Sequence, residues 1–128
     1  APWTKDQRYR LILQPQSSGN DLRRRLCAMG YALEAEALEE EGGYLYNILQ
    51  VRYAPGQCLT PGQEYCSPQL LHSGEALLSQ YLRRVEKALT ISVEGIRRAE
   101  DPEKRNIRYY ETALGEIKAM SEELLCQK

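Results

Sequence analysis

Residues 10–53 read RLILQPQSSGNDLRRRLCAMGYALEAEALEEEGGYLYNILQVRY, and the reading of this stretch decides the fold. Residues 9–14 are apolar at their centre and are ended by Pro15, the pattern of a short strand buried on both faces. A Ser- and Gly-containing loop leads to Asn20, a good helix N-cap, with Asp21 in the first turn, where a negative charge suits the helix dipole. Leu22, Leu26 and Met29 then recur at helical spacing, and Gly30 supplies a stop. Arg23, Arg24 and Arg25 fall on the rest of that helix. Residues 31–40 mix apolar and acidic side chains and could pass for helix in isolation. The Glu41-Gly42-Gly43 turn and the aromatic and β-branched run that follows it predict a β-hairpin instead. Strand, helix and hairpin in this order are the last third of a doubly wound α/β domain. No Gly-rich strand-to-helix loop for a cofactor phosphate or adenosyl group stands ahead of the strand. The chain is therefore expected to be a fragment of a larger protein.

Beyond the hairpin, the periodicity disappears over residues 54–73, where Pro55, Gly56, Pro61, Gly62 and Pro68 punctuate a linker with one helical turn near Leu70. Leu78, Leu82, Val85, Leu89, Val93 and Ile96 then recur at steps of three or four residues. Asp101-Pro102 reads as the start of a second helix, in which Ile107, Tyr110, Leu114, Ile117 and Leu124 continue the stripe. Two such helices joined by a tight turn run antiparallel, and the first, roughly 36 Å long at 1.5 Å per residue, extends well beyond a compact core. The expected organisation is an α/β part over residues 1–55, a linker over 56–74 and an antiparallel coiled-coil hairpin over 75–128.

The 128 residues fit one domain or two small ones, and 17 basic against 18 acidic residues leave a formal charge of −1. That balance predicts neither nucleic-acid nor membrane binding for the chain as a whole, although a local basic face is compatible with it. No apolar run reaches the length of a membrane span, and a cytoplasmic protein is the default. Cys27, Cys58, Cys66 and Cys126 form no C-x-x-C pair and read as reduced, unreactive thiols. The spacing of Cys58, Cys66 and His72 matches no familiar zinc-ligand pattern, so no metal is expected.

The strand LILQP, the helix ending LRRRLCAMGY and the hairpin EALEEEGGYLYNILQVRY resemble the end of the catalytic domain of bacterial tRNA (adenine-N1)-methyltransferases. Pro68-Gln69-Leu70-Leu71 and the charged helical hairpin resemble the C-terminal coiled-coil domain of the same family. The resemblance implies a Rossmann-like methyltransferase sheet followed by a helical hairpin. It implies a parent enzyme that uses S-adenosylmethionine to methylate an adenine in the D-loop region of tRNA. The cofactor loop and catalytic residues of that family lie ahead of the matching segment and map to no position here. S-adenosylmethionine is thus implied for the parent protein, and none is expected for this chain alone.

In an open α/β sheet, ligands gather beyond the carboxyl ends of the strands, which would put Gln14, Pro15 and Gln16 at the reaction cleft. The glutamine amides could bond a base edge or merely satisfy nearby backbone. For phosphate contact the candidates are Arg23, Arg24, Arg25, Arg83, Arg84, Lys87, Arg97, Arg98 and Arg105. Interleaved acids such as Glu94, four residues before Arg98, offer the plainer account of a mixed solvated face. Two classes of function remain: the incomplete C-terminal part of a tRNA methyltransferase, inactive alone, or a non-enzymatic interaction or RNA-binding module built on a coiled coil. A strand short of neighbours along one edge also predicts a homo-oligomer.

Overall fold

The hairpin is the centre of the molecule. In the computed structural model, which describes residues 8–15, 19–99 and 106–126, strands β2 (Tyr31–Glu41) and β3 (Tyr44–Tyr53) pair antiparallel from Tyr31↔Tyr53 to Glu41↔Tyr44. Gly42 and Gly43, with φ of 58° and 85°, make the two-residue turn, a conformation whose twist matches the flanking strands and which glycine adopts without steric cost. The first strand, β1 (Leu11–Leu13), pairs antiparallel with the far side of β3, so the sheet order is β1-β3-β2. Leu11 and Leu13 pack with Leu49 and Val51, while Ile12 is 63% exposed. The expectation of a strand buried on both faces is met on one face only.

A register shift between Leu33 and Ala35 sets what β2 buries. An extra residue in one strand of a pair reverses the inside-outside alternation beyond it. Tyr31 and Leu33 face the core before the bulge, and Glu36 and Leu38 face it after. Had the alternation run on unbroken, Ala35 and Ala37 would point inward and Glu36 would be in water.

Helix α1 (Asn20–Ala28) packs on β2. Its N-cap is Gly19, with φ 81°, rather than Asn20, which is the first helical residue. The anticipated stripe of Leu22, Leu26 and Met29 is also redistributed: Leu26 is buried, Leu22 packs partly against it, and Met29 is 62% exposed. The place on the packing face falls to Arg23.

Residues 60–71 fold onto the hairpin. Tyr65, Cys66, Ser67, Leu70 and Leu71 are all buried, and α2 (Pro68–Leu71) is capped by the Ser67 hydroxyl, which accepts from Leu70 N at 3.1 Å. Helix α3 (Leu78–Arg98) buries Leu78, Tyr81, Leu82, Val85, Leu89 and Val93, and α4 (Ile107–Cys126) buries Ala113, Ile117 and Met120. The two are antiparallel: Arg97 meets Glu111 near one end, and Ser79, Leu82 and Arg83 share a groove with Ser121, Leu124 and Leu125 near the other. One apolar cluster joins Leu38 of β2, the 65–71 segment, α3 up to Leu89 and α4. Fully burying each of its leucines contributes about 1.5–3 kcal/mol, so the inner half of α3 belongs to the same core as the hairpin. The expected cap Asp101-Pro102 lies outside the described residues.

Candidate functional site

Gln14 is exposed and Pro15 half-buried at the carboxyl end of β1; Gln16 lies outside the described residues. At Gly19, just ahead of α1, a Cβ would sit 3.0 Å from Pro15 Cγ and 3.2 Å from Arg23 Nη1. Positive φ and the absence of a side chain are both required there. The space above Gly19 is filled by Pro15 and Arg23.

Arg23, expected on a solvated basic face, is fully buried. Its Nε donates to Glu36 Oε1 at 3.0 Å, its Nη2 to Glu36 Oε2, and its Nη1 to the Glu64 carbonyl at 2.7 Å. Glu36 also accepts from Asn47 Nδ2 at 2.9 Å and from the Ser67 hydroxyl at 2.7 Å. Burial works against the Arg23 charge, but Tyr81 and Glu36 outweigh it, and the guanidinium's pKa is raised. Tyr81 interacts with Arg23 and donates its hydroxyl to the Tyr65 carbonyl at 2.5 Å; burial pushes its own pKa up to about 12. A buried ion pair is tolerated when hydrogen bonds satisfy its remaining donors and acceptors. Here those bonds come from α1, β2, β3, the 64–67 segment and α3.

Charge repetition marks all three arginines alike, whereas no local pattern marks Glu36, because the bulge alone turns it inward. The out-of-phase pair Leu33 and Leu38, five residues apart, was the signal that could have revealed it.

The remaining basic candidates spread over two surfaces. Arg24 pairs with Asp21 and lies 3.7 Å from Glu64, and Arg25 reaches Asp21 at 3.1 Å. The hydrogen bond to Asp21 is the main cause that raises the Arg24 pKa. On α3, Arg83, Arg84 and Lys87 are exposed, and Arg84 Nη2 approaches the Gly43 carbonyl at 3.4 Å. Arg97 pairs with Glu111 at 2.7 Å and Arg98 with Glu94 at 3.8 Å. At about 3.6 residues per turn, Arg84, Lys87, Ile91 and Arg98 line the flank of α3 opposite Leu82, Val85 and Leu89. Ile91 is 60% exposed within that stripe. Exposed ion pairs hold their partners weakly, so these cations can exchange a carboxylate for a phosphate. Arg105 lies outside the described residues.

Two features had no place in the sequence reading. Arg10 and Arg52 flank Glu34 at 2.9 and 3.3 Å. Tyr109, at the start of α4, donates to Glu64 Oε1 at 2.5 Å and also engages Asn20 of α1; burial and then Glu64 raise its pKa. The four cysteines are free, and burial pushes the Cys66 thiol up to about 12. Among the described residues no group of three or more His, Cys, Asp or Glu could hold a metal ion, and no helix is long and apolar enough to cross a membrane.

A short strand, a helix and an antiparallel hairpin whose second arm pairs with that strand form a small α/β unit, a three-stranded antiparallel sheet with α1 packed on it, followed by two long helices. The model of the TrmK family, tRNA (adenine(22)-N(1))-methyltransferase, matches residues 4–119, and the chain belongs to that family. Solved structures agree on the fold. TrmK, the m1A22 tRNA methyltransferase of Bacillus subtilis, superposes with a TM-score of 0.70 at 23% identity over 91% of this chain and 53% of its own. A protein of the NADB-Rossmann superfamily from Streptococcus agalactiae gives 0.65 at 23% identity, over 88% and 47%. Streptococcus pneumoniae Sp1610, in complex with S-adenosyl-L-methionine, gives 0.64 at 25% identity, over 88% and 47%. The chain thus spans about half the length of these solved relatives. No curated protein matches it.

Proposed function

We propose that this chain serves as the C-terminal part of an S-adenosylmethionine-dependent tRNA (adenine-N1)-methyltransferase of the cytoplasm. The observation that carries the reading is the family match across residues 4–119. In this role Gln14 and Pro15, with Gln16, line the cleft beyond β1, and α3–α4 form a coiled-coil arm that offers Arg83, Arg84, Lys87 and Arg98 to tRNA phosphates.

The cofactor supplies an activated methyl group for the adenine ring nitrogen. The sequence contains no Gly-rich phosphate loop, which supports the reading that the residues of this chain hold no cofactor by themselves. No step of methyl transfer is therefore assigned to them, and the chain by itself is taken to be inactive. The edge of β1 away from β3 meets no other strand among the described residues, which supports association through that edge, in the parent protein or between copies of this chain.

Titrating the chain with tRNA at two salt concentrations tests the reading, because neutralised phosphates give the affinity a characteristic salt slope. Salt-dependent binding to tRNA without calorimetric binding of S-adenosylmethionine supports it. Saturable micromolar binding of the cofactor, or no affinity for tRNA, counts against it. A monomer at high concentration in sedimentation removes the self-association.

A further inference from the structure

Two of the four thiols share one groove. Cys27 and Cys58 line a cavity of about 230 Å³ together with Arg24, Gln57 and Glu64. Cys27 stands in the last turn of α1 and is half-buried, while Cys58, in the connector that follows β3, is exposed. The connector is held against α1 on both sides of Cys58. The Gln57 side-chain carbonyl accepts from Leu33 N at 2.8 Å and from the Cys27 thiol at 3.5 Å, and Leu59 packs on the cluster that contains Leu26. Residue 58 is therefore fixed beside the end of α1. The electrostatics agree with this placement: burial raises the Cys27 pKa, and the Cys58 charge raises it further. An exposed thiol beside a more protected one is the arrangement in which the first is oxidised and the second resolves it.

We propose that Cys27 and Cys58 are a redox pair, a modification site at which a peroxide closes a reversible disulfide between α1 and the connector. The Cys58 thiolate attacks one peroxide oxygen, the O–O bond breaks, and the leaving hydroxide takes a proton to become water; Cys58 is then a sulfenic acid. The Cys27 thiolate attacks Cys58 Sγ, the S–S bond forms, the S–O bond breaks, and the second oxygen leaves as water. Two thiols lose two electrons, and the peroxide gains them. The bond ties the end of α1 to the segment that carries Glu64, whose carboxylate accepts from Tyr109 of α4 at 2.5 Å. A cross-link across a loop that contains the whole hairpin restricts the unfolded chain and so favours the folded one. In a reducing compartment such a bond is transient, which is the behaviour of a sensor and not of a structural staple. None of this depends on the methyltransferase reading.

The reduced 128-residue chain, kept dilute, is treated with hydrogen peroxide, alkylated with iodoacetamide and mapped by peptide mass spectrometry. The expected result is one peptide pair joined Cys27 to Cys58, lighter by two hydrogen atoms than its reduced parts, with Cys66 and Cys126 outside it and the link lost again in dithiothreitol. The melting temperature should rise on oxidation and return on reduction. In Cys27→Ser the Cys58 sulfenic acid persists and is trapped by dimedone; in Cys58→Ser, Cys27 stays reduced at the same dose. Wild-type Cys58 trapped by dimedone while Cys27 remains open to alkylation overturns the proposal. So does a Cys27–Cys58 link that forms no faster than in the chain unfolded by urea, since the pairing would then owe nothing to the fold. Disulfides formed only between chains overturn it as well. The wild-type peptide map decides alone, so a serine variant that fails to fold leaves the test intact.

Discussion

The guanidinium of Arg23 on α1 and the carboxylate of Glu36 on β2 meet as a two-pronged ion pair with neither side chain exposed to water. Thirteen residues separate them in sequence, and the bond crosses from helix to sheet in a part of the core otherwise built of Leu26, Leu33, Leu49 and their neighbours. Its energetic meaning lies in what happens when one partner is removed.

Glu36→Ala or Arg23→Ala leaves a buried charge uncompensated and should cost about 3–5 kcal/mol. Urea unfolding reads this as a lower midpoint. The paired change Arg23→Met with Glu36→Leu removes both charges and should recover most of that loss, limited by the stranded Asn47 amide and Ser67 hydroxyl. A single Ala variant as stable as wild type would show that the pair is solvated.

Tyr81 gives a pH dependence with a definite sign. Its folded pKa, pushed to about 12 by burial, lies above the value near 10 of an unfolded tyrosine, so the folded state holds the proton longer. Stability on this account is constant below about pH 10 and is lost as pH rises from about 10 towards 12. Thermal unfolding of Tyr81→Phe should show a smaller decline than wild type over that window.

Thiol chemistry separates the cysteines. Cys66 is buried and its pKa is raised to about 12, whereas Cys58 and Cys126 are exposed. Iodoacetamide at about pH 8 should label Cys58 and Cys126 promptly and reach Cys66 only at the rate of unfolding. Mass spectrometry of peptides follows each; prompt labelling of Cys66 in the native chain contradicts the packing of the 65–71 segment.

Gly62 sets how closely α4 approaches the connector. A Cβ there would stand 2.4 Å from the Cβ of Glu116, whose carboxylate accepts from Gly62 N at 3.2 Å and from the Thr60 hydroxyl. Gly62→Ala should therefore displace the helix and cost about 1–3 kcal/mol, the usual penalty of overpacking. Calorimetric melting measures it, with Gly42→Ala as a comparison in open space but at positive φ.

The basic stripe on α3 is testable by salt. Replacing Arg83, Arg84 and Lys87 together by Gln should weaken tRNA binding and flatten the slope of log affinity against log salt by about 0.7–0.9 for each phosphate no longer neutralised. Fluorescence anisotropy at several salt concentrations gives the slope. An unchanged slope places the RNA elsewhere on the molecule.

Much of the architecture was legible in the amino-acid string. Apolar spacing along residues 78–96 marks a helix with one buried flank because i, i+3 and i+4 positions share a face, and α3 buries Leu78, Leu82, Val85, Leu89 and Val93 accordingly. Gly42-Gly43 marks the hairpin because few other pairs adopt two successive positive φ angles cheaply. The resemblance carried by residues 11–15, 22–31 and 36–53 pointed to the family that matches residues 4–119. The site was less legible. Three consecutive arginines look alike in a string, yet one lies in the core and its two neighbours bind Asp21 at the surface.

Local order is what the sequence by itself determined: a strand, a helix, a hairpin and two amphipathic helices, since hydrophobic period and turn chemistry act between residues a few positions apart. Tertiary structure alone decided that Arg23 would be buried, that Glu36 would meet it, and that Ser67, Asn47 and Tyr81 would close around them. The reason is physical. A single bulge at Leu33/Ala35 reverses the facing of the rest of β2, and only the assembled core then provides, from segments 11 to 41 residues away, the hydrogen bonds that let a carboxylate and a guanidinium leave water.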